Sequence, residues 1–227
     1  MAFPSQAAII GFSSTVQQKT AADLPFNGPG GIPRLYQGDL ESNTYLSAFD
    51  ELQNVVLPSD LTVGFMPPVD PPGTLPDDPV GFIAAGTSVS SHLIHFDPVG
   101  NWFDKDTKVT LTGWVTFDAP ILGVIGGVNQ LDNTDSNTSG HPAANIPLGL
   151  PNVHYGWDGV RGIEIGDYAD TIQILASDLH TIYVDFTVAD YGIDQIRVIT
   201  AVPIPATLML LASGLAGILA WRRMRKE

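Results

Sequence analysis

Residues 108–117 read KVTLTGWVTF, and this stretch decides the fold. Val109, Leu111, Val115 and Phe117 recur at every second position with Gly113 in step, the period of a strand that buries one face. The same period runs through Ile182, Val184, Phe186 and Val188 of TIYVDFTVAD, and through Ile172 and Ile174 of TIQIL. Shorter apolar runs at 61–65, 88–96, 121–125 and 196–200 read as further strands. Between them stand turn-forming groups: Asp97-Pro98-Val99-Gly100, Asp118-Ala119-Pro120 and Asp190-Tyr191-Gly192. The expected fold class is all-β: an antiparallel β-sandwich, jelly-roll-like, over residues 8–201. A helical turn is expected near Ser47–Leu52, and an exposed loop over the proline-rich stretch 66–79, MPPVDPPGTLPDDP.

The chain has 227 residues, enough for one domain and an appendage. It has no cysteine, which excludes disulfides, thiolate metal sites and a cysteine nucleophile. The formal net charge is −14, and the few basic residues are unevenly placed. Arg222, Arg223, Arg225 and Lys226 sit in the last six positions, leaving the body strongly acidic. Such a body repels phosphate backbones and has no basic stripe, so nucleic acid is not an expected partner.

Residues 206–221, ATLMLLASGLAGILAW, form an uncharged apolar run ahead of that basic cluster. The run predicts one C-terminal hydrophobic transmembrane helix, about 24 Å long at 1.5 Å per residue, with the basic residues on the cytoplasmic side. Val202-Pro203-Ile204-Pro205-Ala206-Thr207 precedes it, and two prolines at alternate positions hold that segment extended. Pro-x-Pro-Ala, a short apolar run and a terminal arginine cluster, in that order, resemble the PEP-CTERM sorting signal in its VPxPA-type spelling. The resemblance covers residues 202–227 and rests on Val202, Pro203, Pro205, Ala206, Thr207, Arg222, Arg223 and Arg225. It implies a Gram-negative bacterial protein handled by exosortase, a membrane enzyme linked to exopolysaccharide production. The implied route is export, an inner-membrane intermediate, processing near the Pro-x-Pro segment, then the cell surface or extracellular matrix. The stretches at 57–63, 90–100, 115–125 and 194–200 resemble the amino-terminal regions of other proteins with this tail, a likeness that brings no activity with it.

Export calls for a signal peptide, and residues 1–7 read as the remnant of one. Ser5 and Ala7 stand at the −3 and −1 positions of a cleavage site before Ala8. Met1 is on this reading an internal methionine.

Two loops carry candidate calcium chemistry. In LDNTDSNTSG (131–140), Asp135, Asn137, Ser139 and Gly140 match the first half of an EF-hand loop, where oxygen ligands alternate before a tight turn, and Asp132 stands beside them as a further candidate ligand. Ile146 stands where the bidentate glutamate belongs, so a plain polar loop is the simpler reading. Glu164, Asp167 and Asp170 form a second acidic group, equally readable as turn residues. Asn101, Asp104 and Asp106 make a third. Calcium is the only cofactor this pattern suggests. His92 and His95, three apart in a strand, face opposite sides and cannot share an ion.

The sequence holds no H-E-x-x-H, G-x-S-x-G, P-loop or dinucleotide fingerprint. Tyr155 and Trp157, in a glycine-rich loop beside carboxylates, are the candidate sugar-stacking pair, although core packing is the commoner use of such rings. The expectation is an exported, non-enzymatic cell-surface or extracellular-matrix protein associated with exopolysaccharide or biofilm. A secreted carbohydrate-binding or glycan-active protein using acidic and aromatic loops is the alternative.

Overall fold

The computed structural model describes residues 7–26, 28–73, 80–100, 108–135, 146–156, 161–163, 170–188 and 192–202. Its first eight strands are β1 (Ile9–Phe12), β2 (Val16–Lys19), β3 (Arg34–Leu35), β4 (Leu46–Asp50), β5 (Val55–Val56), β6 (Leu61–Val63), β7 (Val69–Gly73) and β8 (Gly81–Ile83). The rest are β9 (Ser88–Phe96), β10 (Val109–Phe117), β11 (Ile121–Ile125), β12 (His154–Tyr155), β13 (Arg161–Gly162), β14 (Thr171–Ile174), β15 (Thr181–Val188) and β16 (Ile193–Ala201). A single α-helical turn, α1 (Val128–Asp132), and two short 3₁₀ segments complete the described elements.

Two main sheets form the body. A five-stranded sheet runs β1-β10-β15-β14-β7, and a seven-stranded one runs β11-β16-β9-β4-β2, with β13 beside β16 and β5 beside β9. The alternation read from the sequence sorts the side chains. Val115, Phe117, Ile172, Ile174, Ile182, Val184 and Phe186 of the first sheet pack on Leu46, Ala48, Ile94, Phe96, Ile196 and Val198 of the second, in one buried core. The sheets approach most closely at Gly113, where an added Cβ would lie 2.9 Å from Val16 Cγ2 and 3.0 Å from Leu46 Cδ1. The glycine that keeps step in KVTLTGWVTF is there because a larger residue would collide with the opposite sheet.

The seven-stranded sheet is covered on its other face as well. Leu57, Leu61, Val63, Ile125, Leu131, Leu148 and Ile199 form one apolar cluster there. Leu24, Leu35, Phe49, Leu93, Leu150, Val153 and Tyr155 form a second. Burial on both faces explains why the central strands β9 and β16 read as nearly continuous runs instead of strict alternation.

Four expectations are corrected. The helical turn expected near Ser47–Leu52 is the strand β4, antiparallel to β9, with Leu46, Ser47, Ala48 and Phe49 all buried. A short run buried on both sides suits a central strand as well as a helix, and here the sheet wins. Part of the expected loop at 66–79 is β7, which pairs with β14. Its prolines fit because β7 is an edge strand, where a missing N–H costs no ladder bond. The sandwich is not wholly antiparallel, since β2 runs parallel to β4, β13 to β16 and β12 to β3. Finally, the fold class is all-β without the expected transmembrane helix: among the described residues no helix is long and apolar enough to cross a membrane. The longest, α1, has five residues and spans about 7.5 Å against a hydrocarbon core of about 30 Å. The run at 206–221 on which that helix was expected lies outside the described residues, as do residues 1–6.

Candidate functional site

A charged residue inside an apolar strand must find a partner or stay exposed, and Arg197 in the middle of β16 is fully buried. It donates from Nε to Glu51 Oε2 at 2.6 Å and from Nη2 to Glu51 Oε1 at 2.9 Å. The same Nη2 donates to Asp135 Oδ1 at 2.9 Å, and Nη1 donates to Thr134 Oγ1 at 2.5 Å. Arg161 on β13 continues the network: Nε donates to Gln195 Oε1 at 2.8 Å, and Nη1 reaches Asp132 and Asp135. Tyr155 donates its hydroxyl to Glu51 Oε1 and accepts the backbone N–H of Leu150, both at 2.7 Å. Ser91 donates to Glu51 Oε2 at 2.7 Å. All of these groups lie beneath the cover of the seven-stranded sheet.

The network fixes protonation states. Burial alone would lower the Arg197 pKa, but the Glu51 and Asp135 carboxylates outweigh it and hold the guanidinium charged. Burial, reinforced by the Glu51 charge, pushes the Tyr155 phenol well above its ordinary value. Next to the network, His95 Nδ1 meets Gln195 Nε2 at 2.9 Å, and burial brings its pKa down to about 4. Asp97, two residues on, accepts the Gly38 N–H at 2.6 Å. Burial, aided by the charges of Glu41 and Asp39 and opposed by that N–H, raises its carboxyl to about 7.

His92 points the other way, into the inter-sheet core, as the strand period requires. Its Nδ1 donates to Asp50 Oδ1 at 2.7 Å, its Nε2 lies 3.0 Å from Thr200 Oγ1, and its ring packs on Phe117 at 4.5 Å. The hydroxyl–imidazole–carboxylate order is that of a hydrolase relay, but His92 and Thr200 are completely buried. No substrate reaches the hydroxyl, and the trio serves the packing of β4, β9 and β16.

The sequence-derived site residues separate. Asp132 and Asp135 are brought together, but by arginines, since both ion-pair with Arg161. Asp170 is buried in the other sheet and accepts the Thr187 N–H at 2.7 Å. Asn137, Glu164 and Asp167 lie outside the described residues, as do Asn101, Asp104 and Asp106. Among the described residues no group of three or more histidines and carboxylates could hold a metal ion. Tyr155 is fully buried and hydrogen-bonded, so its ring offers no surface to a sugar, and Trp157 lies outside the described residues.

The open site lies elsewhere. On the outer face of the five-stranded sheet, a groove of about 380 Å³ is lined by Trp114, Tyr183, Gln173, Thr112, Asp185 and Thr171, closed at its ends by Ser13, Thr15 and Pro72. The register arranges six of these in two rows across the strands: Trp114 opposite Tyr183 opposite Gln173, and Thr112 opposite Asp185 opposite Thr171. The indole of Trp114 lies against Gly11 on the neighbouring strand, where an added Cβ would stand 3.5 Å from Cζ3, in ordinary contact. Gln173 donates to Asp70 Oδ1 at 3.1 Å, and Thr15 donates to the Thr112 carbonyl at 2.6 Å, fixing both walls. Sequence reading missed this pair, although its signal was present. Trp114 and Tyr183 sit out of phase with the buried residues of their own strands, so the same alternation that buries Val115 and Ile182 places the two rings outside.

The last described strand leads straight to the sorting tail. β16 is held to its end, with Ala201 opposite Val89 and its N–H donated to the Pro120 carbonyl at 2.9 Å. Beyond Val202 the described chain stops; Pro203, Pro205, Ala206, Thr207, Arg222, Arg223 and Arg225 lie outside it. In sequence, the β-sandwich therefore precedes a C-terminal signal that begins where its last strand ends. The signal is identified by a family model: the PEP-CTERM protein-sorting motif matches residues 201–226. The chain thus carries a C-terminal PEP-CTERM sorting signal, and that signal supports export through the membrane to the cell surface and processing by exosortase. No curated protein and no solved structure matches the chain.

Proposed function

We propose that the protein is a non-enzymatic component of the cell surface or extracellular matrix, retained there by association with exopolysaccharide. The observation that carries this reading is where the acid–base groups lie. Among the described residues, Arg197, Tyr155, His95 and Asp97 are strongly shifted from their ordinary protonation, and all four are buried around the cover of the seven-stranded sheet. The open groove on the opposite sheet is walled by rings, hydroxyls, an amide and one carboxylate. Catalytic sites put perturbed groups where substrate reaches them, and here the two are on different sheets. The arrangement suits binding.

The test is made in the native host with and without exosortase, on the chain expressed with its upstream region. Cells are fractionated, the mature chain is weighed intact, and the matrix polysaccharide is sized. With exosortase, the expected product has lost about the last 20 residues, keeps β16 whole and co-purifies with polysaccharide of unchanged length. A tail retained in both strains, or a body recovered free of polysaccharide, would overturn the proposal. Shortened polysaccharide with new reducing ends would favour a glycan-active enzyme instead.

A further inference from the structure

We infer that the outer face of the five-stranded sheet is a binding site for an uncharged polysaccharide, whose pyranose rings stack on Trp114 and Tyr183. The inference rests on the proposed association with exopolysaccharide and gives it a site and a ligand class.

Three observations on one surface carry it. The first is the ring pair. Trp114 and Tyr183 are cross-strand partners, which sets their Cβ atoms about 5 Å apart and presents two rings side by side on one pleated surface. Tyr183 is 39% exposed, a large area for an aromatic on a sheet face. Aromatic faces are electron-rich and attract the polarised C–H groups that line one face of a pyranose.

The second is the polar frame. The row beside the rings holds Thr112, Asp185 and Thr171, and Gln173 extends the ring row. A sugar lying on the rings meets hydroxyl, amide and carboxylate groups at its edge, the donor and acceptor mixture that its own hydroxyls require. Apolar floor and sparse, fixed polar groups are the usual build of a small-molecule site. Because the rows cross the strands, and neighbouring strands lie about 4.8 Å apart, the site is elongated and suits a chain more than a single sugar.

The third is charge. The protein carries −14 overall, and the groove holds Asp185, with Asp70 on the far side of Gln173. Among the described residues no arginine or lysine lines it. A uronate or sulfated polymer would be repelled, whereas a neutral one is not.

The experiment is affinity electrophoresis of the purified full chain in native gels cast with a neutral β-glucan, a neutral mannan or alginate. At least one neutral gel is expected to retard the wild-type protein, and alginate is expected to leave it unaffected. Trp114→Ala and Tyr183→Ala should each weaken retardation about tenfold, as loss of an aromatic anchor does. Thr112→Arg, at an exposed position in the groove, should abolish retardation without touching the core, which keeps the test valid if Trp114→Ala fails to fold. Wild-type retardation by all three folded variants overturns the inference, as does retardation by alginate alone or by no gel. Matrix fractionation of the same variants separates the two readings. If wild type and Trp114→Ala both stay with the matrix, the groove is wrong and the matrix association stands; if wild type itself washes free, the association falls.

Discussion

The outer face of the seven-stranded sheet lies under two apolar clusters and an ion network, whereas that of the five-stranded sheet carries Trp114 and Tyr183 beside an open groove. Both faces belong to the same sandwich and both hold polar side chains on alternate positions. The difference is in what those side chains meet. Arg197, Gln195, Ser91 and His95 face segments folded back over the sheet and are hydrogen-bonded inside it. Thr112, Asp185 and Gln173 border space. A buried polar group is held by partners and specifies the fold, while a polar group at a groove is available to a ligand. Charge on the outer face of the seven-stranded sheet is taken up by hydrogen bonds, and the proposed site uses the polar groups that border the groove on the other.

That division predicts unequal costs. Arg197→Met leaves the buried Glu51 without its cation while Asp135 keeps Arg161, and breaking a buried pair from one side costs about 3–5 kcal/mol. Urea unfolding of the variant should show a loss of this size. A loss under about 1 kcal/mol would mean that the cover opens and hydrates the carboxylates, so that this face is not closed.

Tyr155→Phe probes the same face more gently. It removes the hydroxyl that bridges the Leu150 N–H and Glu51, and with it two buried hydrogen bonds, at a cost of about 1–3 kcal/mol. Because Tyr155 and Arg197 both bind Glu51, the double variant should lose less than the two single losses combined. Strict additivity would break the network into independent contacts.

The pH dependence sharpens the comparison further. His95, brought down to about 4 by burial, is neutral in the folded state and protonated in the unfolded chain between about 4 and 6.5. Its contribution to stability is complete above pH 6.5 and is lost as pH falls toward 4. Asp97, raised to about 7, is protonated when folded and ionised when unfolded between about 4 and 7. Its contribution is complete below about pH 4 and is lost as pH rises toward 7. The two slopes oppose each other across nearly the same window. Relative to wild type, stability of Asp97→Asn should therefore rise with pH between 4 and 6.5, by at most about 1.4 kcal/mol per unit. His95→Gln should show the opposite slope. Urea midpoints measured at half-unit steps would decide it, and parallel curves for all three proteins would remove the assignment.

Much of this was legible in the sequence, and the gaps have definite causes. Strand 109–117 follows from local period, and strands 88–96 and 121–125 from short runs bounded by turn chemistry, all properties of neighbouring residues. β4 was misread because a short run buried on both sides has no period to show, and Pro71 and Pro72 concealed an edge strand. Of the candidate site residues, the sorting motif was legible because its parts are contiguous. Glu51 and Arg197 lie 146 positions apart, and no local rule pairs them. Asp132 and Asp135 looked like metal ligands because a carboxylate awaiting calcium and one awaiting arginine read alike. Trp114 and Tyr183 are the instructive case: the phase of each strand already put them outside, and only the register between the strands made them a pair.

The smallest expected effect bears most directly on that pair. Tyr183→Ala removes a partly exposed ring that stands opposite Trp114 on the neighbouring strand, so the loss of stability should be about 0.2–1 kcal/mol. Trp114→Phe should fall in the same range, since a ring remains over Gly11. Urea unfolding in parallel with Arg197→Met gives the contrast directly. Costs several times smaller at the open face than at the closed one mean that the two rings are not needed to hold the fold. Costs as large as that of Arg197→Met would make Trp114 and Tyr183 part of the packing, and the exposed position of Tyr183 would then lose its meaning as a sign of a ligand.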